Sequence, residues 1–133
     1  RPGLEDLNLQ LDAYYDLTTR YPFYFSDIEE VKHDFVRLHQ QRKSLLQRMI
    51  WQFEKRLSQL SAEGLIDQRY EQEQFGLSAK ALCNQIIFWK AQQRLLDAEE
   101  TGRAAFKDQA WSLITPYLSA VGRAKTDKNH TRR

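Results

Sequence analysis

Glu30-Val31-Lys32-His33 sets a carboxylate and an imidazole three residues apart. That is the Glu-x-x-His spacing that di-metal helical bundles use in duplicate. The chain offers no second pair on a core helix: Val36 stands three residues before His39, and the Asp127/His130 pair falls in a basic tail. A solvated polar face is the better reading of Glu30 and His33. His-Glu-x-x-His and cysteine clusters are absent, which removes the common zinc ligand sets. Cys83 lies among apolar residues of a helical stretch, the setting of an inert thiol and not of a nucleophile. No Gly-rich phosphate loop and no Gly-x-Ser-x-Gly elbow occur, and Gly64, Gly76, Gly102 and Gly122 stand singly. Catalysis has no residue set to rest on, so an enzyme is not expected, and no metal or cofactor is called for.

Ring surface is the chemistry the chain does concentrate. Tyr14, Tyr15, Tyr21, Phe23, Tyr24 and Phe25 place 6 of the 16 aromatic residues within 12 positions. Core filling is the default use of rings at helical spacing. Six clustered rings, with Met49, Phe53, Phe88 and Trp89 on helices expected to pack nearby, also describe a cavity lined by apolar groups with a few polar handles. The hydroxyls of Tyr14, Tyr15, Tyr21 and Tyr24 would be those handles. Core and pocket both stand at this point.

The elements that must position these rings are helices. Leu4, Leu7, Leu11 and Tyr14 recur at three and four residues, the period of one helix face, and Thr18-Thr19 closes that helix. Pro22 suits the first turn of a second helix, whose opening turn is apolar nearly all round. A long third helix over about 34–63 carries Phe35, Leu38, Leu45, Leu46, Met49, Ile50, Phe53, Leu57 and Leu60. Gln41 and Arg42 interrupt its stripe, Trp51 lies off it, and Gly64 caps its end. A fourth helix over about 71–97 has two stripes, Ala79, Leu82, Ile86 and Trp89 beside Leu77, Ala81, Phe88, Ala91 and Leu95. A fifth starts near Arg103 and is again two-sided. Phe106, Ala110, Leu113 and Tyr117 share one face, Ala104, Trp111, Ile114 and Leu118 the other, and Thr115-Pro116 breaks it. One stripe per helix fills a small bundle, so the second stripes of the last two helices are expected to meet another subunit.

Size and charge agree with one helical domain. A chain of 133 residues with 41% hydrophobic and 29% charged residues, 5 Gly and 3 Pro is ordinary for a globular bundle. The single Cys83 excludes an intrachain disulfide, no run approaches the length of a membrane span, and no signal-peptide pattern opens the chain. A cytoplasmic, membrane-free protein is expected. The net charge of +2 hides an asymmetry. Residues 123–133 hold five Lys and Arg against Asp127, and the remainder holds 15 against 17 Asp and Glu, a slightly acidic body. Such a body lacks the basic stripe of a nucleic-acid-binding surface. Residues 1–122 are expected to form the domain and 123–133 a mobile basic tail. The chain opens on Arg1 and not methionine, so it reads as a fragment or processed product.

Several of these segments resemble the C-terminal domain of TetR-type bacterial transcriptional repressors. Tyr21-Pro22-Phe23-Tyr24-Phe25-Ser26-Asp27-Ile28 is similar to that family's Tyr-x-Phe-Phe-x-x-Asp-Leu stretch. The Arg/Gln-rich helix then ends in Ala62-Glu63-Gly64-Leu65-Ile66, an apolar helix runs through Ile86-Ile87-Phe88-Trp89, and Ile114-Thr115-Pro116-Tyr117-Leu118-Ser119 precedes Gly122-Arg123. The likeness spans roughly residues 4–123 by the order and spacing of these motifs.

The resemblance implies an all-α bundle of about five helices that dimerises through its last two long helices and binds a small apolar or aromatic effector. DNA would be read by an upstream domain absent from this chain. The pocket would draw on Tyr14, Tyr21, Tyr24, Phe25, Met49, Phe53, Phe88 and Trp89. The homodimer interface would draw on Leu82, Ala104, Trp111, Ile114 and Leu118. The alternative is a ligand-free helical module that binds a partner protein through its second apolar stripe.

Overall fold

Leu4, Leu7, Leu11, Tyr14 and Thr18 form the buried face of the first helix, α1 (Gly3–Arg20). The further helices of the described residues are α2 (Val36–Ala62), α3 (Gln72–Leu95), α4 (Arg103–Ile114) and α5 (Ala120–His130), with one 3-10 turn, Thr115–Tyr117, between the last two. The computed structural model describes residues 3–21, 36–99 and 102–130. Tyr24, Phe25 and the Glu30/His33 pair lie outside the described residues. Among those described the architecture is an all-α bundle, with a single isolated bridge, Ile66 to Leu118, in place of any sheet.

The second half of α2 is the buried one. Met49, Phe53, Leu57 and Leu60 are nearly inaccessible, whereas Leu38, Leu45 and Leu46 are only half-buried. Arg42, which interrupts the apolar stripe, is itself buried at 7% exposure. Helix α2 ends in a Schellman motif: Gly64 N–H bonds Ser61 O, Leu65 N–H bonds Leu60 O, and Gly64 takes φ +78°, a conformation that lacks steric cost only for glycine. Helix α3 ends the same way. Ala98 N–H bonds Gln93 O, Asp97 N–H bonds Arg94 O, and Asp97 occupies the left-handed position at φ 49°. The most extensive helix pair is α2 with α3, and α1 and α4 close the bundle over them.

Helix α4 lies antiparallel on α1 along a polar ladder. Asn8, Asp12 and Asp16 recur every fourth residue on α1, and Trp111, Lys107 and Arg103 recur every fourth residue on α4. Trp111 Nε1 donates to Asn8 Oδ1 at 3.1 Å, Lys107 Nζ meets Asp12 Oδ2 at 3.2 Å, and Arg103 reaches both Asp12, at 3.1 Å, and Asp16. The bonds to Asp16 and then Asp12 push the Arg103 pKa further up.

Residues 115–126 differ from expectation. Pro116 ends α4, but the 3-10 turn folds Leu118 inward, where it is 2% exposed. Ser119 Oγ donates to Gly64 O and accepts from Gly122 N–H, capping α5. The stretch expected as a tail from residue 123 is helical to His130, and Thr126 is buried with its hydroxyl on Gly122 O. A charge count could not show this, because α5 is anchored by the Ser119 bonds to Gly64 O and Leu65 O and by the close approach of Gly122 to Leu65.

Candidate functional site

Phe106 is wholly buried and organises the rings between α1 and α3. Trp89 meets it edge-on at 5.4 Å, and Tyr15 lies tilted against it at 5.3 Å. Such offset geometries match the ring quadrupoles. The Arg103 guanidinium sits 5.0 Å over the outer face of Tyr15. Gln85 Nε2 donates to Phe106 O at 3.0 Å and so joins α3 to α4 just behind the rings.

Above this layer opens a groove of about 500 Å³ between the end of α1 and the last turns of α3. Tyr15 and Trp89 line its apolar wall, and Thr19, Lys90, Gln93, Arg94, Asp97 and Ala98 line the rest. Its volume lies in the usual small-molecule range. The α1 carboxylates nearest to it, Asp12 and Asp16, are bonded to Arg103 and Lys107. Lys90 and Arg94 have no ion-pair partner among the described residues.

The residues expected in a pocket separate into distinct places. Tyr14, Met49, Phe53 and Trp89 are buried, with Tyr14 tilted on Phe53 at 5.2 Å. Of these four only Trp89 lines the groove; the others fill the core. The Tyr14 hydroxyl bonds Gln52, and burial is the main reason its pKa is pushed up to about 12. Burial likewise pushes the Cys83 thiol up to about 12, which leaves it protonated and unreactive. Tyr21 is 47% exposed at the end of α1, and Phe88 is 58% exposed on the opposite side of α3 from the core. Phe88 and Trp89 are neighbours in sequence, so the helix turns them about 100° apart. Of the three described tyrosines named as handles, Tyr14, Tyr15 and Tyr21, Tyr15 is the one that lines the groove. Lys90 and Arg94 went unnoticed there, although their four-residue spacing directly after Trp89 was a readable signal.

The expected interface residues also need correction. Leu82, Trp111, Ile114 and Leu118 are 0–2% exposed within the single chain and have no surface left to offer another copy. Helix α1 covers Trp111 through Asn8, and the 3-10 turn carries Leu118 back to Ile66. Ala104 alone of the five is exposed. The outward apolar line is instead Leu77, Ala81, Asn84, Phe88, Ala91 and Leu95, at alternating steps of four and three residues. Leu77, Phe88 and Leu95 are 61%, 58% and 85% exposed, and Leu113 of α4 is 36% exposed. This is the heptad spacing of a helix seam, with a single polar member, Asn84.

Among the described residues no group of three His, Cys, Asp or Glu side chains stands close enough to hold a metal ion, and no helix is long and apolar enough to cross a membrane.

Comparison with known proteins accounts for this architecture. The TetR family model, described as a bacterial transcriptional repressor, matches residues 1–126. A crystal structure of a TetR-family transcriptional regulator from Marinobacter aquaeolei VT8 superposes with a TM-score of 0.83 at 21% identity. The match covers 97% of this chain and 62% of that one, so the present chain spans less than two thirds of that regulator. A search of the curated proteins gave no match. At that identity the structural likeness carries the fold alone, but the family model covers nearly the whole chain: the chain belongs to the TetR family of bacterial transcriptional repressors.

Proposed function

We propose that this chain is the effector-sensing and dimerisation domain of a TetR-type regulator, whose DNA-reading part lies elsewhere in the full protein. The observation that carries the dimer is the seam on α3. Eighteen residues separate Leu77 from Leu95 along one straight line of the helix, and large aliphatic and aromatic groups on that line are exposed in the isolated chain. A second copy related by a two-fold axis would bury the same line against itself, with Leu113 at its edge. The alternative partner-binding module would use the same seam. Sedimentation velocity decides between them. The parent should run as a dimer of 15.8 kDa chains, and Phe88→Glu should run as a monomer. A monomeric parent at micromolar concentration refutes the dimer.

The effector reading rests on the groove over Tyr15 and Trp89. A ligand there would sit between α1 and α3 and bias the position of α1 relative to the rest of the bundle. The Asn8, Asp12 and Asp16 ladder would make α4 follow α1, so the dimer face and the groove would share one mechanical path. Ligand and operator would then favour different arrangements of the same domain, which is all that a population shift requires. Half-sites on DNA lie about 34–36 Å apart, so a displacement of a few ångströms per head would disturb operator binding. Thermal shift against a library of small apolar and aromatic compounds is the test. A saturable rise in melting temperature that is lost in Tyr15→Ala supports the pocket. The absence of any such compound from a broad library rejects it.

A further inference from the structure

The chemistry of the groove narrows the effector class, resting on the reading that the groove is the effector site. We infer that the effector is an anion, an aromatic or hydrophobic body carrying a carboxylate or comparable acidic group. Lys90 and Arg94 stand four residues apart on one face of α3 and both line the groove. Like charges at that spacing repel. The carboxylates that could offset them from α1 are engaged elsewhere: Asp16 binds Arg103, and Asp12 binds Arg103 and Lys107. Asp97 is the single acid among the described lining residues, which gives that lining two cations against one carboxylate. The Asp97 backbone closes α3 in the left-handed conformation at φ 49°, its N–H on Arg94 O. Next to the two cations lie the Tyr15 and Trp89 rings, braced from behind by Phe106. A ring on that wall with an acid group directed along α3 would meet both cations at once, and ion pairing at the mouth of a partly desolvated groove gains more than it would in open water.

The probes are 2-naphthoate and its neutral amide, 2-naphthamide, titrated against the full chain by calorimetry. Naphthoate should bind about tenfold more tightly than the amide, and added salt should erode the difference. Lys90→Gln with Arg94→Gln should remove the preference by weakening naphthoate several-fold more than the amide. Asp97→Asn should strengthen naphthoate binding by a few fold, an opposite sign that a merely structural effect of these substitutions would not produce. Circular dichroism of each variant confirms folding, and Lys90→Arg should retain the preference. Equal binding of the two probes, or equal loss of both in the double variant, overturns the anion class and leaves the effector reading standing. If neither probe binds but neutral compounds from the library do, the anion class is again overturned. If neither probe binds and the library also fails, both readings fall together.

Discussion

Exchanging Phe106 for alanine should remove the central brace of the bundle, and exchanging Trp51 should do almost nothing. Phe106 is wholly buried and touches a ring on α1 and a ring on α3. Truncating a buried phenylalanine costs about 3–5 kcal/mol, and the two ring contacts, each about 0.5–1.5 kcal/mol beyond area, place this site at the upper end. Trp51 is the larger side chain, yet it is 57% exposed on the outer face of α2 and its one described ring partner is the Lys55 ammonium at 5.0 Å. Losing that contact costs about 0.5–1 kcal/mol. For a chain of this size each kcal/mol moves the melting temperature by about 3–5 °C. Phe106→Ala should therefore melt roughly 12–25 °C below the parent and Trp51→Ala no more than about 5 °C below it. The assay is thermal denaturation by circular dichroism at one protein concentration, with urea midpoints at unchanged slope as a cross-check. Phe106→Leu, which keeps most of the volume, should fall between them. If Trp51→Ala proves as damaging as Phe106→Ala, the ring layer described above is wrong.

Three further outcomes follow from other contacts. A methyl group on Gly122 would stand 2.2 Å from the backbone oxygen of Leu65. Gly122→Ala should therefore lose about 1–3 kcal/mol, read as a lowered urea midpoint and as faster proteolysis within α5. Asp12→Ala would strand the Lys107 ammonium, which is 6% exposed. That variant should be less stable than Asp12→Ala combined with Lys107→Met, since removing one partner of a buried pair costs more than removing both. The Cys83 thiol is raised from 9.0 to about 12 by burial and the Tyr14 hydroxyl from 10.0 to about 12. The folded state then holds protons that the unfolded chain releases. Stability from these groups is present in full below pH 9 and declines as pH climbs through that window. A pH-independent urea midpoint between 9 and 12 would contradict this, as would rapid reaction of native Cys83 with a thiol reagent at mildly alkaline pH.

The Phe88-Trp89 pair shows where legibility stopped. Both rings are apolar, both sit on a helix with two apolar stripes, and both were expected in a pocket. Period alone separates the two stripes but does not say which one a neighbour covers. That choice was made by α1 and α4, which pack on the Trp89 side and leave Phe88 outward. The same ambiguity misplaced Trp111, which α1 covers through Asn8, and Ile114, which lies beside Leu57 of α2 and Phe75 and Leu82 of α3. The groove was harder to foresee, since Tyr15 and Trp89 are 74 positions apart and only the packing of α1 on α3 makes them neighbours.

Local chemistry by itself determined the helices, their ends and their buried stripes. The three- and four-residue periods, Gly64 in its left-handed cap and Pro116 after α4 are each set by interactions within a few residues. The ordered motifs from Tyr21 to Gly122 pointed correctly to the TetR family. Tertiary structure alone decided which stripe became core and which became seam, that Asn8, Asp12 and Asp16 would face Trp111, Lys107 and Arg103, and that the basic end would begin as a helix. Those outcomes depend on contacts between distant segments, where one apolar face can be satisfied by several partners and only the assembled packing selects among them.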